Sequence, residues 1–149
     1  MNSSDTKLQR ASQLFEVYLK RQSLKLTKQR QEILVQFLSV GHHISAEEFH
    51  LIFKEANSKI GFSTVYRTLK LLTDCGLARE HQFGDRFTRY ESSFETDHHD
   101  HLICTQCGDI IEFESAEIEA LQTTIAKSHN FIIQDHKLEL YGLCAKHNQ

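Results

Sequence analysis

Two residue pairs in the second half of this chain have the spacing of zinc ligands. Cys104 and Cys107 form a C-x-x-C motif, and Cys144 and His147 form a C-x-x-H motif near the C-terminus. Two thiolates at this spacing can bind one tetrahedral ion, and three cysteines with one histidine are a known structural zinc set. The alternatives are an unmetallated pair and a redox dithiol, but a thioredoxin-like motif begins a helix, whereas this one is expected between strands. The pattern favours a structural Zn(II).

A second group of candidate ligands is a run of four consecutive residues: His98, His99, Asp100 and His101. In a strand, successive side chains point to opposite faces, so His99 and His101 share one face. His98 and Asp100 share the other face. One extended segment can therefore supply ligands to two separate metal ions. The alternative is a solvated histidine cluster near a hinge.

Further candidate ligands lie on the elements that follow this run. Glu112, on the next predicted strand, can supply a carboxylate to one ion, and Glu119 and His136 are candidates for the other. Mixed nitrogen and oxygen ligands suit Fe(II), Mn(II), Co(II) or Zn(II) bound reversibly. These residues thus predict sites of a different chemistry from that of the thiolate site.

The segment 63–75 has two unlike faces at helical spacing. One face is apolar and consists of Val65, Leu69 and Leu72. The other carries hydroxyls, one aromatic ring and two cations: Ser63, Thr64, Tyr66, Arg67 and Lys70. Cations for phosphate or guanine, and a ring for thymine methyl groups, are what a DNA-reading helix needs. A basic cluster upstream suits contacts to the DNA backbone or minor groove: Lys25, Lys28 and Arg30. The alternative is an ordinary solvated helix face.

The periodicity of the first 92 residues predicts a winged helix. Helices are expected over 7–22, after an N-cap at Thr27, after the capping box that begins at Ser45, and from a Ser63-Thr64 cap to about Cys75. Two strands, 77–83 and 87–91, then flank Gly84-Asp85-Arg86 as a β-hairpin. A helix-turn-helix followed by a hairpin is the winged-helix arrangement.

The remaining residues predict a small α/β domain after a polar hinge at 93–97. Strands are expected over 99–104, 109–113, 131–134 and 137–143, with a helix over 115–128. The domain 98–149 has about 50 residues, which is small for an independent core. A module of this size usually needs a metal ion or a partner subunit.

Composition and charge agree with two modules in a globular protein. The 149 residues are 40% hydrophobic and 25% charged, with a net charge of −3. Up to Ser92 there are 14 basic and 10 acidic residues, and after it 3 and 10, so the halves carry +4 and −7. A basic half beside an acidic, histidine-rich half indicates different partners. No apolar run approaches the roughly 20 residues of a membrane span and no signal core begins the chain, so we expect a cytoplasmic protein.

Taken together, these motifs resemble the ferric uptake regulator (Fur) family of metal-dependent bacterial repressors. The matching segments are collinear over about residues 24–147: Leu24-Lys25-Leu26-Thr27 with Arg30, His42-His43-Ile44-Ser45-Ala46-Glu47, Ser63-Thr64-Val65-Tyr66-Arg67, His98-His99-Asp100-His101, Cys104 with Cys107, Glu112-Phe113, and Tyr141-Gly142-Leu143-Cys144. The resemblance implies an α+β fold, with a winged-helix DNA-binding domain (1–92) joined to a small α/β dimerisation domain.

The resemblance also implies the metal ligands, matched motif by motif. The regulatory set falls on His43, Glu91, His99, His101 and Glu112. An additional set falls on His98, Asp100, Glu119 and His136, and the structural zinc set on Cys104, Cys107 and Cys144. Two departures stand out: His147 occupies the place of a fourth thiol, and Gln29 replaces a common proline. The first leaves open three-cysteine coordination, a histidine ligand, or a weakened zinc site.

The implied function is a DNA-binding repressor that responds to a metal ion, with Fe(II) expected and Mn(II), Co(II) or Zn(II) as substitutes. Its partners would be a double-stranded DNA operator and a second copy of the chain, as a homodimer or a tetramer, without a membrane. Glutamate at 91 and 112 favours iron over peroxide sensing, and a zinc-sensing regulator is the other alternative. An enzyme is not expected, because five protein ligands leave little room for the substrate of a metal-dependent hydrolase. A zinc-ribbon interaction module would not explain the outer face of segment 63–75.

Overall fold

The structure, a computed structural model, describes residues 3–83, 87–96 and 98–149. It divides into two compact units, Met1–Thr96 and Asp97–Gln149. The first unit consists of α1 (Ser3–Arg21), α2 (Lys28–Ser39), α3 (Ala46–Glu55), α4 (Phe62–Asp74), β1 (Ala78–Phe83) and β2 (Phe87–Ser92). The second consists of β3 (Asp100–Cys104), β4 (Ile110–Phe113), α5 (Ala116–Ser128) and β5 (Glu139–Gly142). The predicted α+β class is confirmed.

The first unit is built around the apolar faces of its four helices. Fully buried side chains from these helices form one core: Ala11, Phe15, Leu19, Ile33, Leu34, Phe49, Val65, Leu69 and Leu72. Two predicted caps are confirmed, since the Thr27 hydroxyl accepts the Arg30 N–H and Ser45 forms a reciprocal capping box with Glu48. These caps satisfy N–H groups that the first turns leave open. Both helix starts are therefore fixed locally.

The predicted start of α4 is wrong. The helix begins at Phe62, with Gly61 as an N-cap that forms no side-chain hydrogen bond. Ser63 and Thr64 lie in the first turn instead of capping it. The Phe62 ring packs edge-on against His50 of α3 and stacks on Tyr66 one turn later. Because glycine is also an accepted N-cap residue, these ring contacts give a reason for the earlier start.

The hairpin pairs β1 and β2 in antiparallel register, with Arg79 opposite Glu91 and His81 opposite Arg89. Its predicted turn, residues 84–86, lies outside the described residues. Ile44, in the loop before α3, forms an isolated bridge with Tyr90 through backbone hydrogen bonds of 2.8 and 2.9 Å. The hairpin is thereby joined to the segment that leads into α3.

The predicted hinge, residues 93–97, is attached to the first unit over the part that the structure describes. The Ser93 N–H donates to the Leu77 carbonyl, and the Ser93 hydroxyl donates to the carbonyl of Gly76. Arg10 of α1 forms a bidentate pair with Glu95, with both N···O distances at 2.7 Å. This pairing lowers the pKa of the Glu95 carboxyl. Asp97 lies outside the described residues.

The second unit is a three-stranded sheet of order β4-β3-β5, with β3 antiparallel to β4 and parallel to β5. The strand predicted over 131–134 is wrong, since none of these residues is in a strand. Its apolar residues have high strand propensity, but a strand needs a neighbour to pair with. Phe131 and Ile132 are 67% and 86% exposed.

The second unit has a sparse core. Among its described residues, only three apolar side chains are buried: Ile103, Cys104 and Ala126. The predicted apolar stripe of α5 is largely exposed, with Leu121 and Ile125 more than 60% accessible. No helix in the described part of the chain combines the length and the apolar character needed to cross a membrane.

Candidate metal centres and nucleic-acid interface

The three cysteines and the histidine of the predicted zinc site come together at one end of the sheet. Parallel pairing places Cys104, at the end of β3, opposite Gly142 of β5, and Cys144 follows two residues later. Cys107 lies in the turn between β3 and β4. The sheet register thus joins residues that are 40 positions apart in the sequence.

The distances within this cluster suit a tetrahedral ion. The sulfurs of Cys107 and Cys144 are 3.8 Å apart, and His147 Nδ1 is 3.1 Å from the Cys144 sulfur and 3.8 Å from the Cys104 sulfur. One ligand atom from each residue lies within 4.8 Å of all the others. With Zn–S bonds of about 2.3 Å, tetrahedral geometry separates two sulfurs by about 3.8 Å. The four residues therefore fit a zinc ion.

The pKa values of the two thiols in the C-x-x-C motif are shifted in opposite directions. Backbone N–H groups of Cys107 and Cys144 donate to the Cys104 sulfur and lower its pKa to about 5. The N–H of Asp109 lowers the pKa of Cys107, but burial and the neighbouring thiols outweigh it and raise that pKa to about 11. Thiolates so close to each other repel without a cation between them, and a divalent ion removes that repulsion.

A second cluster combines two histidines with two carboxylates. His98 Nε2 is 3.0 Å from Asp100 Oδ1 and 3.2 Å from Glu119 Oε1. His136 Nε2 is 3.1 Å from Glu119 Oε1 and 3.8 Å from Asp100 Oδ1. Asp100 of β3 is buried, and the Glu119 carboxylate comes from α5. Nitrogen and oxygen ligands at these separations suit a first-row divalent cation.

In the first unit, the bridge between Ile44 and Tyr90 brings His43 beside Glu91. His43 Nε2 is 2.9 Å from Glu91 Oε2, and both side chains are buried. The other carboxylate oxygen, Glu91 Oε1, is 2.6 Å from Nε2 of His81, which is also buried. Sequence reasoning missed His81. Its contact with Glu91 can be inferred only from the register of the hairpin. In that register Arg79 is directly opposite Glu91, and His81 lies two residues further along the same face of β1.

In the second unit, three more of the predicted regulatory ligands lie on or beside neighbouring strands. His101 of β3 is directly opposite Glu112 of β4. His99 Nε2 is 3.7 Å from Glu112 Oε1, and the rings of His99 and His101 are 4.9 Å apart. The five predicted regulatory ligands are therefore divided between the units, two in the first and three in the second.

The outer face of α4 carries the predicted DNA contacts with different degrees of exposure. Ser63, Tyr66 and Arg67 are exposed, whereas Thr64 and Lys70 are half-buried. The Arg67 Nε–H donates to the Ser63 carbonyl, which holds the guanidinium along the helix. The predicted inward face, formed by Val65, Leu69 and Leu72, is buried as expected.

Like Arg67, two further predicted DNA-binding cations have partners within the protein. Lys70 Nζ donates to Glu80 Oε2 of β1 at 2.8 Å, and this hydrogen bond raises the pKa of Lys70. Arg30 Nη1 donates to the Lys25 carbonyl at 2.5 Å and so fixes the turn before α2. Lys25 itself is exposed. A phosphate would have to compete with Glu80 for Lys70.

Comparison with known proteins places these features in a family. The ferric uptake regulator family model matches residues 21–141. The ferric uptake regulation protein of Rhizobium leguminosarum bv. viciae is 45% identical over 123 residues, which cover 83% of this chain and 86% of that protein.

Solved structures agree with that match. The Helicobacter pylori ferric uptake regulator, described as having three functional metal binding sites, has a TM-score of 0.83 and 27% identity, covering 99% of this chain and 97% of that one. The Francisella tularensis ferric uptake regulator solved with iron has a TM-score of 0.71 and 34% identity, covering 83% and 93%. Proteins of this family are transcriptional regulators, so the hydrolase alternative is removed. The chain belongs to the ferric uptake regulator family.

Proposed function

We propose that this protein is a cytoplasmic, Fe(II)-responsive DNA-binding repressor. The observation that carries the proposal is that each unit holds a group of nitrogen and oxygen donors. His43 and Glu91 are buried side by side in the unit that carries α4. His99, His101 and Glu112 are grouped in the other unit. Donors from both units that bind one ion would couple metal binding to DNA binding.

The coupling would act through the relative orientation of the two units. In a dimer, that orientation sets the separation of the two α4 helices, which must match half-sites about 34 Å apart or a multiple of that distance. Metal and DNA would each favour the same orientation, and such coupling is reciprocal. Typical coupling free energies of about 1–3 kcal/mol correspond to changes in affinity of about 5–150-fold.

Three kinds of ion site are proposed. The regulatory site would bind Fe(II), with Mn(II), Co(II) or Zn(II) as substitutes, and the iron-bound Francisella tularensis structure supports iron. The thiolate cluster would bind structural Zn(II) through Cys104, Cys107, Cys144 and His147. The additional cluster at His98, Asp100, Glu119 and His136 would bind a second reversible ion. Peroxide sensing and zinc sensing stay as alternatives within the family, and DNA binding with each of the three metals separates them.

The second unit supports a homodimer, because it buries too little apolar surface by itself. Leu121, Ile125, Phe131 and Ile132 are all more than 60% exposed. Exposed apolar groups of this extent on a soluble domain usually mark an interface with another chain. We propose that a second copy covers them, and light scattering would separate the dimer from a tetramer.

The structural zinc site is tested by Cys104→Ser, with Cys75→Ser as the matched control. Cys104 is at the centre of the thiolate cluster, whereas Cys75 is a half-buried residue at the end of α4. We expect Cys104→Ser to lose its zinc and to unfold the second unit, because metal-binding free energy is folding free energy in such small modules. Metal content and circular dichroism measure this. A zinc-free, folded and dimeric Cys104→Ser variant would contradict the proposal.

The shared regulatory ion is tested by one variant in each unit, His43→Ala and His101→Ala. Both should lower affinity for the reversible ion by more than the roughly 10–100-fold that outer-shell changes cost. Both should also abolish metal-dependent binding to DNA selected from random duplexes. The control is His42→Ala, which changes the exposed neighbour of His43. If only one of the two variants lost ion affinity, the two units would not share that ion.

The DNA-reading role of α4 is tested by Arg67→Ala and Tyr66→Ala. Each should weaken DNA binding by about 1–3 kcal/mol, as expected for a side chain that contacts a base. Metal content should stay unchanged. Lys54→Ala removes a cation from the end of α3 and serves as the control for net charge. DNA affinities equal to that of the unmodified chain would remove α4 as the recognition helix.

The Lys70–Glu80 ion pair predicts that Glu80→Gln strengthens DNA binding. Removal of the carboxylate charge frees Lys70 to neutralise a phosphate, which should steepen the salt dependence by about one unit of log affinity per log salt. Fluorescence anisotropy at several salt concentrations measures this slope. Adding Lys70→Ala to Glu80→Gln should restore the shallower slope, and an unchanged slope in Glu80→Gln would exclude Lys70 as a phosphate contact.

A further inference from the structure

We propose that His81 is a positioning residue for Glu91: its Nε2–H donates to Oε1 and leaves Oε2 to face His43. The inference rests on the function proposed above, because it adds an orienting residue to the regulatory site. His81 belongs to none of the three ligand clusters of the described residues. Its Nε2 nevertheless lies 2.6 Å from Glu91 Oε1, closer than the 2.9 Å between His43 Nε2 and Glu91 Oε2.

The distances from the two Glu91 oxygens distinguish His43, a proposed metal ligand, from His81, a proposed positioning residue. Two ligand atoms with metal bonds of about 2.0–2.1 Å at right angles lie about 2.9 Å apart. His43 Nε2 and Glu91 Oε2 are 2.9 Å apart, which suits two ligands of one ion. His81 Nε2 and Glu91 Oε1 are 2.6 Å apart, which is at the short end for a hydrogen bond to a carboxylate. The two oxygens of Glu91 thus have different neighbours and different roles.

Burial makes the His81 contact difficult to replace with water. The His81 side chain is fully buried, and Glu91 is only 6% exposed. A buried carboxylate oxygen without a donor costs about 1–3 kcal/mol or more. The ring N–H of His81 satisfies Oε1 and fixes the rotation of the carboxylate. The hairpin register keeps both side chains on one face, so their separation is set by paired strands.

The position of His81 in β1 also connects the site to α4. Glu80 and His81 are consecutive residues, and side chains of consecutive strand residues point to opposite faces. On one face Glu80 binds Lys70 of α4, and on the other His81 binds Glu91. The strand β1 therefore contacts both Glu91, a proposed metal ligand, and Lys70, a cation of the proposed DNA-reading helix.

The test compares His81→Asn with His81→Gln. The amide nitrogen of glutamine can reach the place of Nε2, whereas that of asparagine falls short, and both substitutions keep a polar side chain. Co(II) titrations would use protein that retains zinc and carries His98→Ala and His136→Ala, which remove the additional site. We expect His81→Asn to bind Co(II) about 10–100-fold more weakly. His81→Gln should recover most of this affinity.

The visible spectrum of Co(II) distinguishes positioning from direct ligation. At saturation, both His81 variants should give the spectrum of the parent protein, because no ligand is lost. A spectrum altered in the same way as that of His43→Ala would make His81 a ligand and overturn the proposal. Equal Co(II) affinities for His81→Asn and the parent protein would overturn it as well, as would equally weak binding by both His81 variants.

Glu91→Gln in the same titration separates this inference from the proposed function. If Glu91→Gln and His43→Ala bind Co(II) as tightly as the parent protein, the regulatory site itself is wrong. If both lose affinity while His81→Asn does not, only the positioning role is wrong. Thermal unfolding of the Co(II)-free variants completes the test. Weaker Co(II) binding by His81→Asn than by His81→Gln, at equal melting temperatures, supports orientation over a general loss of stability.

Discussion

The bridge between Ile44 and Tyr90 is the contact on which the arrangement of His43 and Glu91 in the first unit depends. Two backbone hydrogen bonds join a loop to β2, and both residues are buried. This pairing puts His43 next to Glu91, and Ser45, the N-cap of α3, follows directly. The His43–Glu91 pair and the start of α3 are thus fixed by the same short contact. The helix α3 in turn packs against α4.

The sequence could predict features that depend on local spacing. Caps at Thr27 and Ser45 need only three or four consecutive residues, and the grouping of His98 with Asp100 follows from strand alternation. Features set by pairing between distant segments were not accessible in this way. The contacts of His81 with Glu91 and of Lys70 with Glu80 depend on the register of the hairpin and on its packing against α4. The segment 131–134 shows the opposite case, in which strand propensity was present but no neighbouring strand was available.

The two units illustrate different solutions to the problem of stability. The first buries a continuous set of aromatic and aliphatic side chains from four helices and the hairpin. The second buries few, and polar clusters occupy both ends of β3: Asp100 with its histidines at one end and Cys104 with its thiols at the other. If they bind cations as proposed, such clusters can replace hydrophobic burial, because metal-binding free energy is then folding free energy. The acidic net charge of the second half is consistent with cation binding.

The bidentate pair between Arg10 and Glu95 joins the N-terminal helix α1 to the end of the first unit. Phe15 and Leu19 of α1 are fully buried, and Arg10 binds a residue just before the chain leaves the first unit. Glu95 has a left-handed backbone conformation, with φ of 51°, which a residue other than glycine adopts at a cost. Helix α1 is therefore an integral part of the first unit, and deleting it would affect the fold of that unit. The deletion would open the core and release the strained residue at the exit of the winged helix, so a truncated chain is a poor substitute for the intact regulator in crystallography or in binding assays.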